Sequence, residues 1–414
     1  MRMFSLSFVA AAMVLAAPAV AQIGLPSIPV PQPTLPVPVV GPVADQALDG
    51  IERVSQDVQR EIERLARQRV RSIDRLLRDN RQSIELDRQG APARRGELLV
   101  LDADNTVLEA ARQAGFAILS DDVIDGLDMA VTRLRVPEAM DLADAEKVLA
   151  RIMPDAQVAA DNLHFPAGPA MTRAAALSRS AAVRMDIPVG MIDSAPVRDA
   201  VTELRGFATG APLASDHGSA VASLLSASGI TRIHAADVYG SDKAGGNALA
   251  IAKALGWLTA SGKKVVTISL VGPRNAVLEQ AIAASQTKGV VIVAAVGNDG
   301  PAAPPAFPAS YDGVVAVTAV DGKRRALIEA GKALHLDYAA PGADIFGLNA
   351  KGKRVRLRGT SFATPLVAAQ IAQAMALRKD WRRALDAAAI DLGPRGEDAI
   401  YGRGLICASC KGGY

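Results

Sequence analysis

The sequence predicts an α/β fold built on a parallel sheet with helices on both faces. Apolar runs at residues 231–238, 264–270, 290–295 and 314–319 are continuously hydrophobic, as strands covered on both sides are. Helical segments at 247–260 and 275–288 alternate with them, as crossovers between parallel strands require. The aromatic content is 4%, which suits a core of Ala, Val, Leu and Ile.

A smaller α+β unit precedes this domain. Residues 98–101, 117–119, 129–136 and 156–160 read as strands, and 106–114 and 142–152 as helices. The βαββαβ order over residues 96–166 is ferredoxin-like. Residues 90–95 read as a linker. Upstream, acids and arginines alternate, and Ile51, Val54, Val58, Ile62, Leu65, Ile73, Leu76 and Leu77 recur at helical spacing. One or two amphipathic helices are therefore expected over 43–89. They serve either as a solvated helix packing lightly on its own chain or as an arm that self-associates or binds an envelope partner. Acids match the arginines there, so nucleic acid is not an expected partner.

The first residues read as an export signal. Met1-Arg2 supplies a basic start, residues 4–17 are apolar, and Ala19-Val20-Ala21 is a small-x-small cleavage site. The expected signal peptide is 1–21, and the destination periplasmic or secreted. Its apolar run is shorter than the roughly 20 residues that span a bilayer. Residues 22–42 form a Pro-rich spacer of polyproline-II character. The net charge of +3 hides an asymmetry: acids greatly outnumber bases in the small unit, whereas the large domain is basic.

The stretch Gly359-Thr360-Ser361-Phe362-Ala363-Thr364-Pro365 reads as a turn opening into a buried helix, with the proline in its first turn. Ser361 would lie where free backbone N–H groups stabilise an oxyanion. A helix cap is the plain alternative. A serine nucleophile needs a base, and there are four histidines. His164, His234 and His335 lie in contexts that suit satisfied or solvated rings. His217 opens a helix of very small residues, Gly218-Ser219-Ala220-Val221-Ala222, with the imidazole at its exposed start. Asp193 ends the apolar run 186–193, a place for an orienting carboxylate. Residues 289–295 form a strand breaking into Gly297-Asn298-Asp299-Gly300, whose Asn298 amide can donate to an oxyanion.

These segments, in this order, resemble the subtilisin-like serine proteases, the subtilase family. The resemblance covers residues 181–406. Asp193 stands at its first triad position and His217-Gly218-Ser219 at its His-Gly-Thr. Ala295-Val296-Gly297-Asn298 stands at its oxyanion-hole segment and Gly359–Pro365 at its nucleophile signature. The departures are Ser194-Ala195-Pro196 after the aspartate, Ser219, the short interval between Asp193 and His217, and Val296. The resemblance implies a serine endopeptidase with catalytic Asp193, His217 and Ser361 and oxyanion donors Asn298 and the Ser361 N–H. It implies a peptide substrate paired with Ser269, Leu270, Val271 and Gly272. The P1 pocket would be walled by Ala294, Ala295 and Val296 with Ala306 near its floor, favouring hydrophobic or medium-sized P1 residues. The small unit resembles the family's propeptide, an intramolecular chaperone and inhibitor. Residues 167–184, or 164–184 by composition, become a processing linker that the enzyme cuts itself, ahead of a peptidase domain at 185–406. No cofactor is expected; many subtilases bind calcium, and no site is assigned here.

Cys407 and Cys410, in the tail 407–414, read first as a short-loop disulfide. Two other readings remain. One is a weak or inactive subtilase fold used as an envelope scaffold; the other is a structural protein tethered by its Pro-rich and coiled segments.

Overall fold

The computed structural model describes residues 42–167, 170–173 and 185–410. The expected signal peptide, nearly all of the Pro-rich spacer, most of the processing linker and the last four residues lie outside the described residues. The chain divides into Met1–Arg53, of which the described part is the start of a helix, and Val54–Tyr414, which holds everything below.

Helix α1 runs Pro42–Asp79. It ends ten residues before the expected boundary, because Ile84 is buried in a short strand, β1 (Ile84–Leu86). The small unit follows as β2 (Pro92–Leu101), α2 (Asn105–Gln113), β3 (Ala117–Ile124), β4 (Met129–Arg135), α3 (Leu142–Ile152) and β5 (Val158–Asn162). The expected linker at 90–95 is in part strand: Pro92, Ala93 and Arg94 pair with β1. The sheet is antiparallel, with β2 between β4 and β5. Asp104 and Asp141 cap α2 and α3, each accepting a backbone N–H of the first turn.

Both faces of β2 are buried, and the period of two explains how. Leu98 and Val100 enter the small unit's own core with Leu134, Leu142 and Leu149. Leu99 and Leu101 turn the other way and join the large domain's core with Ile124, Leu127, Met129 and Val131. Complete burial of such side chains contributes about 1.5–3 kcal/mol each. The two units are therefore joined by hydrophobic packing.

Two short strands come next, β6 (Phe165–Pro166) and β7 (Ala170–Arg173). The large domain comprises β8 (Met185–Asp193), β9 (Glu203–Gly206), α4 (Asp216–Ala227), β10 (Ile230–Asp237), α5 (Ala248–Ala260), β11 (Val265–Ile268), β12 (Leu270–Val271) and α6 (Ala276–Thr287). It continues with β13 (Val291–Ala295), β14 (Val315–Val320), β15 (Tyr338–Pro341), β16 (Ala343–Leu348), β17 (Arg354–Arg358), α7 (Thr360–Ala376) and α8 (Trp381–Ala388). The seven-stranded sheet β15-β14-β13-β11-β8-β10-β9 is parallel throughout. Helices α5 and α6 bury one face; α4, α7 and α8 bury the other. This is the α/β class expected. Asn247 and Asn275 cap α5 and α6 through their side-chain oxygens.

The small unit seats on α5 through a close backbone approach. A Cβ on Gly256 would stand 2.6 Å from the Asp125 carbonyl and from Ile124. Around this contact acids of the small unit meet donors of the large domain: Asp122 with Lys253 at 2.7 Å, Asp128 with Lys288 at 2.5 Å, and Asp102 with Gln280 at 3.0 Å. These exposed or half-exposed pairs add about 0–1 kcal/mol each and confer salt sensitivity. Gly256→Ala should cost about 1–3 kcal/mol of this seating. In the intact chain, hydrogen exchange across residues 117–131 should accelerate in that variant; unchanged protection would count against the contact.

Candidate functional site

The carboxyl end of the parallel sheet gathers Asp193, His217, Asn298 and Ser361. Asp193 ends β8 and is fully buried. Its Oδ1 accepts from the Ser194 N–H (2.7 Å) and the Ser194 hydroxyl (2.9 Å), and lies 2.8 Å from His217 Nδ1. Such a contact orients an imidazole and selects its tautomer. Ser194 Oγ stands 2.5 Å from Ser215 Oγ, and Ser215 caps α4 by accepting the Gly218 N–H at 3.0 Å. This hydroxyl bridge ties the strand end bearing the acid to the helix start bearing the base. Gly218 is what lets them approach, since a Cβ there would stand 2.0 Å from the Ser194 carbonyl oxygen.

His217 is buried, not exposed as its helix-start position suggested, because Phe362 covers its ring at 5.4 Å between centroids. Its Nε2 has no hydrogen-bond partner among the described residues. Ser361 Oγ instead donates to the Ser269 carbonyl at 3.1 Å. Catalytic hydrogen bonds are often unformed before the reacting geometry is reached, and a turn about χ1 redirects a serine hydroxyl.

Ser361 lies in the first turn of α7, where backbone N–H groups lack partners within the helix. Pro365 falls in the second turn, a position later than expected. There it removes the N–H that would otherwise bond the Ser361 carbonyl. The Ser269 hydroxyl donates to that carbonyl at 3.0 Å, so the proline's cost is met by a side chain from the facing segment.

Asn298 follows β13. Its Oδ1 accepts the Thr360 N–H at 3.1 Å, which orients the amide so that Nδ2 faces the cleft. Thr360 Oγ1 also bridges the N–H and carbonyl of Gly297, at 3.1 and 3.2 Å. The turn bearing Ser361 and the Asn298 turn are thus one hydrogen-bonded unit. Helix α1 touches the same turn: Leu65 is buried beside Gly300, and Arg69 pairs with Asp299 at 3.2 Å. Leu76 and Leu77 pack with Ile84, Leu163 and Ala244. This face of α1 is satisfied by its own chain.

The cleft holds a strand that sequence reasoning placed in a linker. β6 pairs antiparallel with β12 in the register Leu270↔Pro166 and Val271↔Phe165, and the Ala167 N–H donates to the Ser269 carbonyl at 3.0 Å. The Ala167 carbonyl oxygen accepts from the Ser361 N–H at 3.0 Å and from Asn298 Nδ2. On the other side of the serine, β7 pairs with β17, Ala170 opposite Arg358. Residues 164–167 belong to this strand rather than to an open linker. Their signal was weak, because backbone pairing leaves no side-chain signature.

His164 is fully buried in this strand, between Gly246, whose carbonyl accepts its N–H at 2.8 Å, and Gly272. Burial pushes its pKa down to about 4, and its Nε2 is without a partner. The Tyr239 hydroxyl donates to its carbonyl at 2.7 Å; burial, then the nearby Asp193 and Asp237 carboxylates, hold that phenol well above its ordinary pKa. Asp161 accepts the Leu249 N–H at 3.0 Å at the start of α5, and burial raises its pKa to about 6. His234 meets Glu203 at 3.1 Å and His335 the Val314 carbonyl at 2.8 Å, outside the cleft.

Of the expected P1 wall, Ala294 and Val296 turn into the core against α5 and α6, as alternation along β13 requires. Ala306 is half-buried and donates its N–H to Lys332. Gly272 exchanges both backbone bonds with Phe307, at 2.8 and 3.0 Å. Cys407 and Cys410 are joined as a disulfide. Among the described residues, no group of three or more His, Cys, Asp or Glu is placed to hold a metal ion, and no helix is long and apolar enough to cross a membrane.

Known proteins are similar to this chain in sequence and fold. An alkaline protease of Shouchella clausii is 29% identical over 294 residues, 66% of this chain and 76% of that one. Subtilisin Savinase of Lederbergia lenta is 30% identical over 244 residues, 54% of this chain and 89% of that one. Fervidolysin of Fervidobacterium pennivorans, a keratinolytic enzyme related to subtilisin, superposes with a TM-score of 0.63 at 16% identity; the match covers 80% of this chain and 63% of that one. The epidermin leader peptide processing protease of Staphylococcus aureus gives 0.56 at 16% identity, over 77% and 97%. The last two speak for the fold alone. Residues 191–404 match the family model described as the Subtilase family, Peptidase S8, and the chain belongs to that family.

Proposed function

We propose that the protein is an exported serine endopeptidase made as a precursor, and that the bond Ala167–Gly168 is its first substrate. The observation that carries this is the Ala167 carbonyl oxygen, which accepts from both oxyanion donors beside the nucleophile. The chain therefore supplies its own substrate strand: Ala167 as P1, Pro166 as P2, Phe165 as P3 and His164 as P4. The basic, apolar start of the sequence supports export.

The chemistry follows from the groups present. Ser361 Oγ turns from the Ser269 carbonyl to His217, which takes its proton at Nε2 as Oγ bonds to the Ala167 carbonyl carbon. Asp193 holds the ring through Nδ1 and stabilises the imidazolium. The Ser361 N–H and Asn298 Nδ2 hold the oxyanion, at a place where one donor is worth about 100- to 1,000-fold in rate. The C–N bond to Gly168 breaks, and His217 returns the proton to the departing amine. Water, activated by the same imidazole, then releases the Ala167 carboxylate and regenerates the serine. The small unit, with its strand still paired to β12, remains as a product inhibitor until it dissociates or is digested.

Three outcomes are expected. Purified Ser361→Ala precursor should stay whole, whereas the wild type should yield a new N-terminus at Gly168. Processing of the serine variant in pure form, or a terminus elsewhere in both, refutes self-cleavage at this bond; labelling of wild-type Ser361 by a fluorophosphonate separates an active enzyme from a scaffold. Asn298→Ala should slow processing by about 100- to 1,000-fold. Acid should loosen the seated strand through His164. Its folded pKa of about 4 lies below the unfolded 6.5, so its contribution is complete above pH 6.5 and is lost as pH falls toward 4. The loss approaches ~3 kcal/mol. Asp161 works the other way: its contribution is complete below its unfolded value of 3.8 and declines as pH rises to about 6. Between pH 7 and 4.5, the cleaved complex of the His164→Gln variant should therefore weaken less than the wild-type complex; equal weakening by size-exclusion binding measurements removes His164 from the account.

A further inference from the structure

The slot that receives a P1 side chain is narrowed by a residue of the substrate-binding strand itself. β11 and β13 pair in parallel as far as Ile268↔Ala294 and then part. The gap between segments 269–272 and 295–298 opens beside the two oxyanion donors, where Ala167 is seated. In the antiparallel register of β6 on β12, Val271 stands opposite Phe165, and Ser269 binds the Ala167 N–H. By the period of two, Val271, Ser269, Phe165 and Ala167 share one face, while Leu270 turns into the core. Val271 and Ala167 are diagonal neighbours on that face, close enough that an aromatic or long side chain at 167 would reach Val271.

Across the gap from Val271 lies Gly297. The two Val271 methyls stand 3.5 and 3.6 Å from where a Cβ on Gly297 would sit, so the space between the two walls would just take one methyl group. The valine thus leaves about one methyl's width between the walls. The Gly297 side cannot retreat. Its carbonyl accepts from the Gly331 N–H at 2.8 Å, a Cβ on Gly331 would stand 2.3 Å from the Val296 carbonyl oxygen, and Thr360 Oγ1 grips Gly297 from the other direction. Nor is there depth behind, because Ala294 and Val296 are committed to the core. The residue whose carbonyl occupies the oxyanion position is itself an alanine, almost entirely buried.

We propose that Val271 closes the P1 slot to side chains larger than alanine or serine, and that the enzyme therefore cleaves after Gly, Ala and Ser. This inference rests on the protease reading above, and it replaces the expectation of hydrophobic or medium-sized P1 residues. Differences of one or a few methylenes at an apolar pocket are worth about 10- to 200-fold in specificity. A benzyl group meeting a wall that is pinned on both sides belongs at the upper end.

Self-processing of the full-length precursor reads this directly. Ala167→Ser should be processed within about tenfold of the wild-type rate, whereas Ala167→Phe should be slowed by about 100-fold or more. Adding Val271→Gly to Ala167→Phe should recover at least about tenfold. Equal processing of the phenylalanine and wild-type precursors overturns the inference, as does failure of the glycine to rescue a double variant whose Ser361 still takes a fluorophosphonate. The processed wild-type enzyme gives a second reading that needs no variant: cleavage of a peptide library should concentrate after Gly, Ala and Ser, and dominance by Leu, Phe or Lys overturns it. A wild-type precursor that neither matures nor labels at Ser361 brings down the protease reading itself, and this inference with it.

Discussion

The backbone N–H of Ser361 has no partner within its own helix, and much of the surrounding structure is arranged around that fact. A helix start leaves several such donors free, and burying one without an acceptor is costly. Here the N–H meets the Ala167 carbonyl, and Asn298 supplies the second donor to the same oxygen. The other elements of the site serve to hold this pair in place. Thr360 links the helix start to the Gly297 turn, and its N–H orients the Asn298 amide. Pro365 deprives the Ser361 carbonyl of its helical partner, and Ser269 supplies another. The same Ser269 receives the Ala167 N–H on its carbonyl, so one residue steadies both the nucleophile's backbone and the strand laid against it.

His217 and Asp193 are held by different means. Asp193 Oδ1 takes two donors from the adjacent Ser194 and faces His217 in the first turn of α4. The Ser194–Ser215 contact then couples that oxygen to the cap of α4. A fully buried carboxylate is costly unless it is hydrogen-bonded; here Oδ1 carries all the bonds while Oδ2 has no partner among the described residues, and those same bonds set the register between strand end and helix start.

Much of this was legible in the sequence, for identifiable reasons. Buried parallel strands are continuous apolar runs, so β10, β11, β13 and β14 were located within a residue or two. The helices expected from residues 247 and 275 begin one residue later, because Asn247 and Asn275 serve as their caps. Other features had no such mark. Helical spacing continues through Ile84, so the end of α1 at Asp79 depends on a tertiary demand for that side chain in a strand. Pro92 and Ala93 look like linker residues but pair with β1 at a sheet margin, where proline is tolerated. The seated strand 165–167 pairs through N–H and C=O groups that every segment carries. The bridge from Ser194 to Ser215 uses hydroxyls that occur throughout the chain. The proposed narrowing of the P1 slot had no mark for a related reason: Val271 was recognised as part of a binding strand, but only its distance from the Gly297 position shows how little room it leaves.

The strand in the cleft is continuous with β5 before it and, across two residues, with β7 after it, each already paired to neighbours of its own. The carbonyl beside Ser361 is therefore present at an effective concentration set by folding rather than by the amount of protein. Oriented intramolecular partners reach effective molarities of about 10⁵–10⁸ M. On the proposed self-cleavage, maturation is a first-order event, equally fast in a dilute and a crowded compartment. Every later encounter with a separate polypeptide is second-order and must begin by displacing a tenant that is already in place.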